Sequence, residues 1–208
     1  MLSFNTNEDF TQNYKFLIGS ILPRPIAVVT TKNDNGTDNI APFSFFNGFS
    51  AKPMIVGFAP IRRPNTGDKK DTLINIEREK EFVINFVTEK NADLINLCAT
   101  ELPYGESELT LSGLTAVESE KVKAIRLQES PIHFECKLRD IISYGDTPGA
   151  GTLITGEVIR IHIDESIYEN GRVITSQWHP MGRGAGNDWF KTDSVVEKTR
   201  LTKAQIQK

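Results

Sequence analysis

The eight residues Ile132-His-Phe-Glu-Cys-Lys-Leu-Arg139 alternate without a break between apolar and polar side chains. Successive side chains of a strand point to opposite faces. The run therefore calls for a sheet that buries Ile132, Phe134, Cys136 and Leu138 and leaves His133, Glu135, Lys137 and Arg139 in water. A β-branched run from Thr152 to Ile163 follows, after the turn-rich Gly145-Asp-Thr-Pro-Gly-Ala-Gly151, and supplies a partner strand.

The rest of the chain fits the same plan. Ile26–Thr31 reads as a strand, Lys32–Gly36 as a tight turn, and Asn39–Phe43 as the returning strand of a hairpin. Met54–Ala59, bounded by Pro53 and Pro60, and Phe82–Val87 are further strands. Helices are few. One is expected over residues 8–22, with Phe10, Tyr14, Leu17 and Ile18 at helical spacing and Pro23 and Pro25 ending it. A second runs from Asp71 and Thr72, as N-cap residues, to about Glu79, and a short third covers Ala92–Cys98. Residues 100–130 are weakly patterned and read as a surface excursion with one or two short elements. Strands joined by hairpins with few helices between them predict a mainly β fold with helical additions, an antiparallel barrel in preference to a doubly wound sheet. No repeat or linker divides the chain, so one domain over residues 1–208 is expected, with 178–208 as a carboxy-terminal loop and tail.

Composition removes several function classes. The chain has 208 residues, a net charge of -3 and 38% hydrophobic residues, as an ordinary globular protein does. Its basic residues are interspersed with acids, which gives no support to nucleic-acid binding. No apolar stretch is long enough to span a bilayer, and the first residues lack the basic start and apolar run of a secretory signal. Cys98 and Cys136 match no metal or redox spacing and are expected as reduced thiols in a cytoplasmic protein. Neither HExxH nor CxxC is present, so no metal site is expected. The three histidines, His133, His162 and His179, form no catalytic spacing.

Two segments carry chemistry. From Asn39 to Pro53 the chain mixes Phe43, Phe45, Phe46 and Phe49 with Ser44, Asn47 and Ser50, and Gly48 would let a ligand approach the backbone. Either the aromatics are core, or they wall a site for a flat heteroaromatic ligand. At Lys70-Asp71-Thr72 a helix begins, with Arg62 and Arg63 upstream. Unpaired N–H groups, a dipole end and cations suit a phosphate there, although spacing alone favours a capped helix beside a solvated loop.

The ordered set Pro23-Arg-Pro-Ile26, Asn39–Asn47, Ser50–Pro53, Lys70-Asp-Thr72 and Glu81–Asn85 resembles the flavin reductase-like family of FMN-binding split-barrel proteins. Leu111–Leu114, Glu129–Pro131, Glu135-Cys136 and Gly156–Val158 follow in the family's order, so the likeness runs from about residue 15 to 190. The resemblance implies a homodimer with FMN near the interface. It implies that Phe45, Phe46, Asn47, Gly48 and Ser50 line the isoalloxazine, that Arg62, Lys70 and Thr72 hold the phosphate, and that Asp71 orients the loop. Thr30, Thr31 and Asn85 are candidates for ring or ribityl contacts or for structural roles. Trp178–Phe190 is similar to the family's loop that closes over the flavin, with Trp189 where Tyr is common. Gly182–Gly186 is not a dinucleotide loop, since it neither carries Lys-Ser/Thr nor leads from strand to helix, but its Arg183 could reach a phosphate or a carboxylate.

What the resemblance implies is flavin-centred chemistry with no separate catalytic side chain, NADH or NADPH as electron donor, and His179 and Trp189 as nicotinamide contacts. The leading expectation is an NAD(P)H-dependent FMN reductase serving a monooxygenase or another acceptor. A flavoredoxin-like electron carrier and a split-barrel protein with a non-flavin ligand stand as alternatives.

Overall fold

The computed structural model describes residues 1–6, 10–192 and 194–206. In chain order, helix α1 (Phe10–Ser20) leads to strands β1 (Ala27–Lys32), β2 (Asp38–Phe43), β3 (Phe46–Ala51) and β4 (Met54–Phe58). Helix α2 (Asp71–Glu79), strand β5 (Glu81–Phe86), helices α3 (Ala92–Leu97) and α4 (Glu108–Ser112) and the two-residue strands β6 (Ala116–Val117) and β7 (Arg126–Leu127) follow. The long strands β8 (Ile132–Ser143) and β9 (Thr152–Ile163) come next. Then come β10 (Tyr168–Glu169), β11 (Arg172–Val173), α5 (Thr175–Trp178), β12 (Met181–Arg183), β13 (Trp189–Lys191) and α6 (Lys203–Ile206). The expected beginning of the first helix, residues 8 and 9, lies outside the described residues, as do residues 193, 207 and 208 of the tail.

Seven strands form one antiparallel sheet in the order β2-β1-β5-β8-β9-β4-β3. The sheet curls on itself. Phe43 of the first strand in that order and Phe58 of the sixth bring their rings to 5.0 Å, which a flat sheet forbids. Bulges at Glu135/Cys136 and Leu138/Asp140 bend the 12-residue β8 where it must follow the curve. Inside lie Ala27, Val29, Val56, Phe58, Phe82, Ile84, Cys136 and Ile154, and α2 plugs the barrel with Leu73 and Ile76. The expected mainly β antiparallel barrel is what the chain forms.

A second core sits outside the barrel. Val28 and Ile40 face outward and are covered by Ile95, Leu114, Ile125 and Leu127. The excursion expected at 100–130 is thus a structural layer: weak periodicity hid its apolar residues, which are spread over short irregular elements. The same layer corrects the alternation of β8. His133 and Glu135 are buried because backbone N–H groups of Glu120 and Lys121 donate to the Glu135 carboxylate at 2.9 and 2.6 Å, and the His133 Nε2 meets the Leu127 carbonyl at 2.8 Å. His162, on neighbouring β9, adds a 2.6 Å contact to Glu135. Polar residues roofed by polar backbone need not be wet.

Candidate functional site

Helix α1 shapes a large cleft. Phe10, Tyr14 and Leu17 recur at helical spacing, yet Ile18 alone of the helix counts as buried. The other three overhang the barrel end and, with Phe45, Ala59, Ile61, Arg62, Lys70 and Tyr144, line a cleft of about 600 Å³. The Tyr14 and Phe45 rings stand 6.2 Å apart. Phe10 lies against Gly149, where a Cβ would collide with its ring.

Arg24 fastens this wall. Its guanidinium is buried and donates to the carbonyls of Ile18 at 2.7 Å, Ile21 at 2.9 Å and Gly184 at 2.5 Å, and to the Ser44 hydroxyl at 3.2 Å. One side chain thus ties α1, the approach to β3 and the β12–β13 hairpin together.

Two cations close the cleft's polar end. Arg62 donates to the Gly67 carbonyl at 2.8 Å and the Gly145 carbonyl at 3.2 Å, so its position is set by two loops. Lys70 also borders a smaller adjoining cavity of about 120 Å³, lined in part by Asn39, Arg63, Asp71, Thr72 and Glu101. Lys70 pairs with Glu101 at 2.5 Å, and Arg63 pairs with Asp71 and Glu101 at 3.0 Å each. Lys70, not Asp71 or Thr72, is the N-cap residue, and it makes no side-chain cap. Asp71 is the first helical residue, placed where a negative charge suits the helix dipole.

The structure separates the remaining expected residues. Thr30, Thr31 and Asn85 are fully buried with protein partners, which places them away from the cleft. The Thr30 hydroxyl donates to the Ile125 carbonyl. Thr31 accepts from Asn39 and Asn75 at 3.0 Å each, and Asn85 bridges the Val28 carbonyl and the Leu127 N–H. Thr72 is buried and accepts from Asn39 at 3.0 Å. Periodicity could not separate these from ligand contacts, since both are polar groups at positions flanked by core residues.

Within the aromatic run, Phe45 lines the cleft, whereas Phe46 turns inward toward Phe86, ring to ring at 6.1 Å. Asn47, Gly48 and Ser50 lie exposed on β3, the last strand of the sheet order, and the space where a Gly48 Cβ would project is open. Phe49 covers Gly57, where a Cβ would meet its ring at 2.7 Å.

At the carboxy-terminal end, His179 and Trp189 line different cavities, the first with Glu129 and Trp178, the second with Asp93 and Met181. Arg183 donates to the Gly186 and Asp188 carbonyls of its own hairpin and stands 5.5 Å over the Trp189 ring. Its guanidinium braces the hairpin and does not join Arg62 and Lys70. Sequence reasoning missed the α1 face, Arg24 as a clasp, and Glu101. The signal for the first was present, in an apolar stripe with no counterpart left to cover it.

No thiol is activated near the site. Burial pushes Cys98 up to about 11, and burial raises Cys136 further. Among the described residues no group of three or more His, Cys, Asp or Glu could hold a metal ion. An aromatic-walled cleft with two cations at one end suits a planar ring bearing an anionic tail, and its size lies in the range of small-molecule sites.

Residues 18–178 match the model of the flavin reductase like domain. The uncharacterized protein BH2278 of Halalkalibacterium halodurans is 39% identical over 196 residues, covering 93% of each chain. Among solved structures, nitrilotriacetate monooxygenase component B from Bacillus cereus is 37% identical with a TM-score of 0.88, covering 97% of this chain and 98% of that one. The 2-nitrobenzoate 2-nitroreductase NbaA of Pseudomonas fluorescens is 31% identical with a TM-score of 0.84, covering 96% and 94%.

Proposed function

The chain belongs to the flavin reductase-like domain family, and from that premise we propose that it is an NAD(P)H-dependent reductase that takes FMN in the cleft beneath α1. The observation that carries the reading is the meeting of Tyr14, Phe45, Arg62 and Lys70 in one cleft. Bound flavin supplies a ring that accepts and passes on two electrons. The protein's part is placement. Tyr14 and Phe45 offer apolar faces, and Arg62 and Lys70 neutralise the phosphate. The exposed polar edge of β3, through Asn47 and Ser50, offers hydrogen bonds to ring heteroatoms. Gly48 leaves the space for a second planar ring to approach. The overhang of α1, held by Arg24, limits water at the cleft.

A homodimer belongs to this proposal. The exposed β3 edge, with Phe49, Ile159 and Ile161 also exposed, is the kind of surface that a second copy covers. A cytoplasmic setting is supported by two buried free thiols. The likeness to a monooxygenase component B supports an oxygenase as the consumer of reduced flavin, and the likeness to NbaA makes a nitroaromatic acceptor the second candidate.

Anaerobic mixing of the FMN-loaded protein with NADH and, separately, NADPH tests the reading. Bleaching of the flavin absorbance by at least one donor is expected. Tight FMN retention through gel filtration without bleaching by either donor would replace the reductase with an electron carrier. A protein that neither quenches nor retains FMN would refute both.

A further inference from the structure

The Lys70 ammonium, assigned above to the flavin phosphate, already holds an anion supplied by the chain. Glu101 lies beyond α3, with its side chain 57% exposed, and its Oε1 sits 2.5 Å from Lys70 Nζ and 3.0 Å from the Arg63 guanidinium. Asp71 takes Arg63 from its other side at 3.0 Å. The pairing draws the Glu101 carboxyl below its usual range, chiefly through the hydrogen bond from Lys70. Exposed ion pairs of this kind add little to folding stability, so stability alone gives this arrangement little reason. Its position does. Lys70 borders both the aromatic cleft and the small cavity that contains Glu101, so a phosphate arriving at Lys70 meets a carboxylate already there.

We propose that Glu101 is an internal competitor for the phosphate site, returning to Lys70 and Arg63 as flavin leaves and keeping FMN an exchanging substrate. The inference rests on the reading of the cleft as an FMN site. The charges make exchange workable in both directions. A phosphate monoester near neutral pH carries about -1.5 to -2 and three acceptor oxygens, enough to displace one carboxylate. The carboxylate's -1 then offers Lys70 a partner during departure, so the cation is never left bare. Riboflavin, with a neutral hydroxyl in place of the phosphate, has nothing to exchange with Glu101.

The test is a fluorescence-quenching titration of FMN and of riboflavin against the parent protein, Glu101→Gln and Lys70→Ala, with dissociation rates from stopped-flow dilution. Glu101→Gln keeps the shape and removes the charge. It should bind FMN about five-fold tighter, in line with the worth of partly exposed ion pairs, mainly through slower dissociation and with riboflavin affinity unchanged. Glu101→Ala should move in the same direction, and Lys70→Ala should weaken FMN but not riboflavin. If Lys70→Ala behaves so while both Glu101 variants leave FMN affinity and dissociation alone, the competitor role is overturned and the phosphate assignment stands. Equal tightening of riboflavin would also overturn it. If Lys70→Ala leaves FMN untouched, both the assignment and the competitor role fall.

Discussion

Replacing Arg24 with Met probes how a buried cation far from any reaction controls the cleft. Methionine fills much of the same volume but donates nothing, so the carbonyls of Ile18 and Gly184, both in buried hydrogen bonds, lose their partner. Burial lowers the Arg24 pKa from its ordinary value, so removing the charge also returns part of a desolvation cost. Two orphaned carbonyls at about 1–3 kcal/mol each, less that return, give a net loss of about 3 kcal/mol. With a urea m-value of about 3 kcal/mol/M, at the upper end for small proteins, the unfolding midpoint should fall by about 1 M. FMN affinity should fall as well, because the α1 wall and the β12–β13 hairpin share this one clasp. Arg24→Lys should rescue only part of the loss, since an ammonium lacks the planar fork that reaches three carbonyls at once. A midpoint within about 0.3 M of the parent for Arg24→Met would refute the reasoning, because it would show that the carbonyls find other donors at no cost.

Arg62→Ala should weaken FMN by about 1.5–3 kcal/mol while sparing riboflavin, as loss of a hydrogen bond to a charged group implies; equal losses for the two ligands in a quenching titration would argue for a merely structural Arg62. Burial lowers His133 from 6.5 to about 4, so the unfolded chain binds a proton in that interval that the native protein refuses. Stability should therefore fall as pH drops from about 6.5 toward about 4, by about 3 kcal/mol in all, and His133→Asn should flatten urea midpoints measured across that window. Glu135, whose carboxylate is held below its ordinary value by the Glu120 and Lys121 N–H groups and His162 despite its burial, steepens the acid end in both proteins. Cys98 and Cys136 should resist a thiol reagent at pH 8 in the native state and both react in urea, whereas rapid native labelling of Cys98 would show that the second core opens readily.

Where local periodicity coincided with burial, the fold was legible in the sequence. Strands β1, β2, β4, β5 and β9 lie within a residue or two of their expected bounds, and α2 runs from Asp71 to Glu79 as expected. Strand β3 went unmarked because its residues, exposed along the sheet edge, carry no two-faced pattern. The buried polar groups were misplaced for a related reason. Alternation tells which way a side chain points but not what lies above it, and the layer formed by residues 92–127 roofs His133 and Glu135.

By itself, the sequence determined the antiparallel barrel, the aromatic run beside it and the cations at the start of α2, because hydrophobic period, turn residues and motif order are local quantities. Which residues line the cleft and which are used up inside the protein was decided only by the tertiary structure. Thr30, Thr31 and Asn85 spend their hydrogen-bonding groups inside the protein, Phe46 joins the core and Phe45 the cleft, and Glu101, 31 positions from Lys70, comes to rest on it. Such pairings depend on long-range closure of the chain, and their energies are set by burial and charge at the meeting point, which no window of neighbouring residues contains.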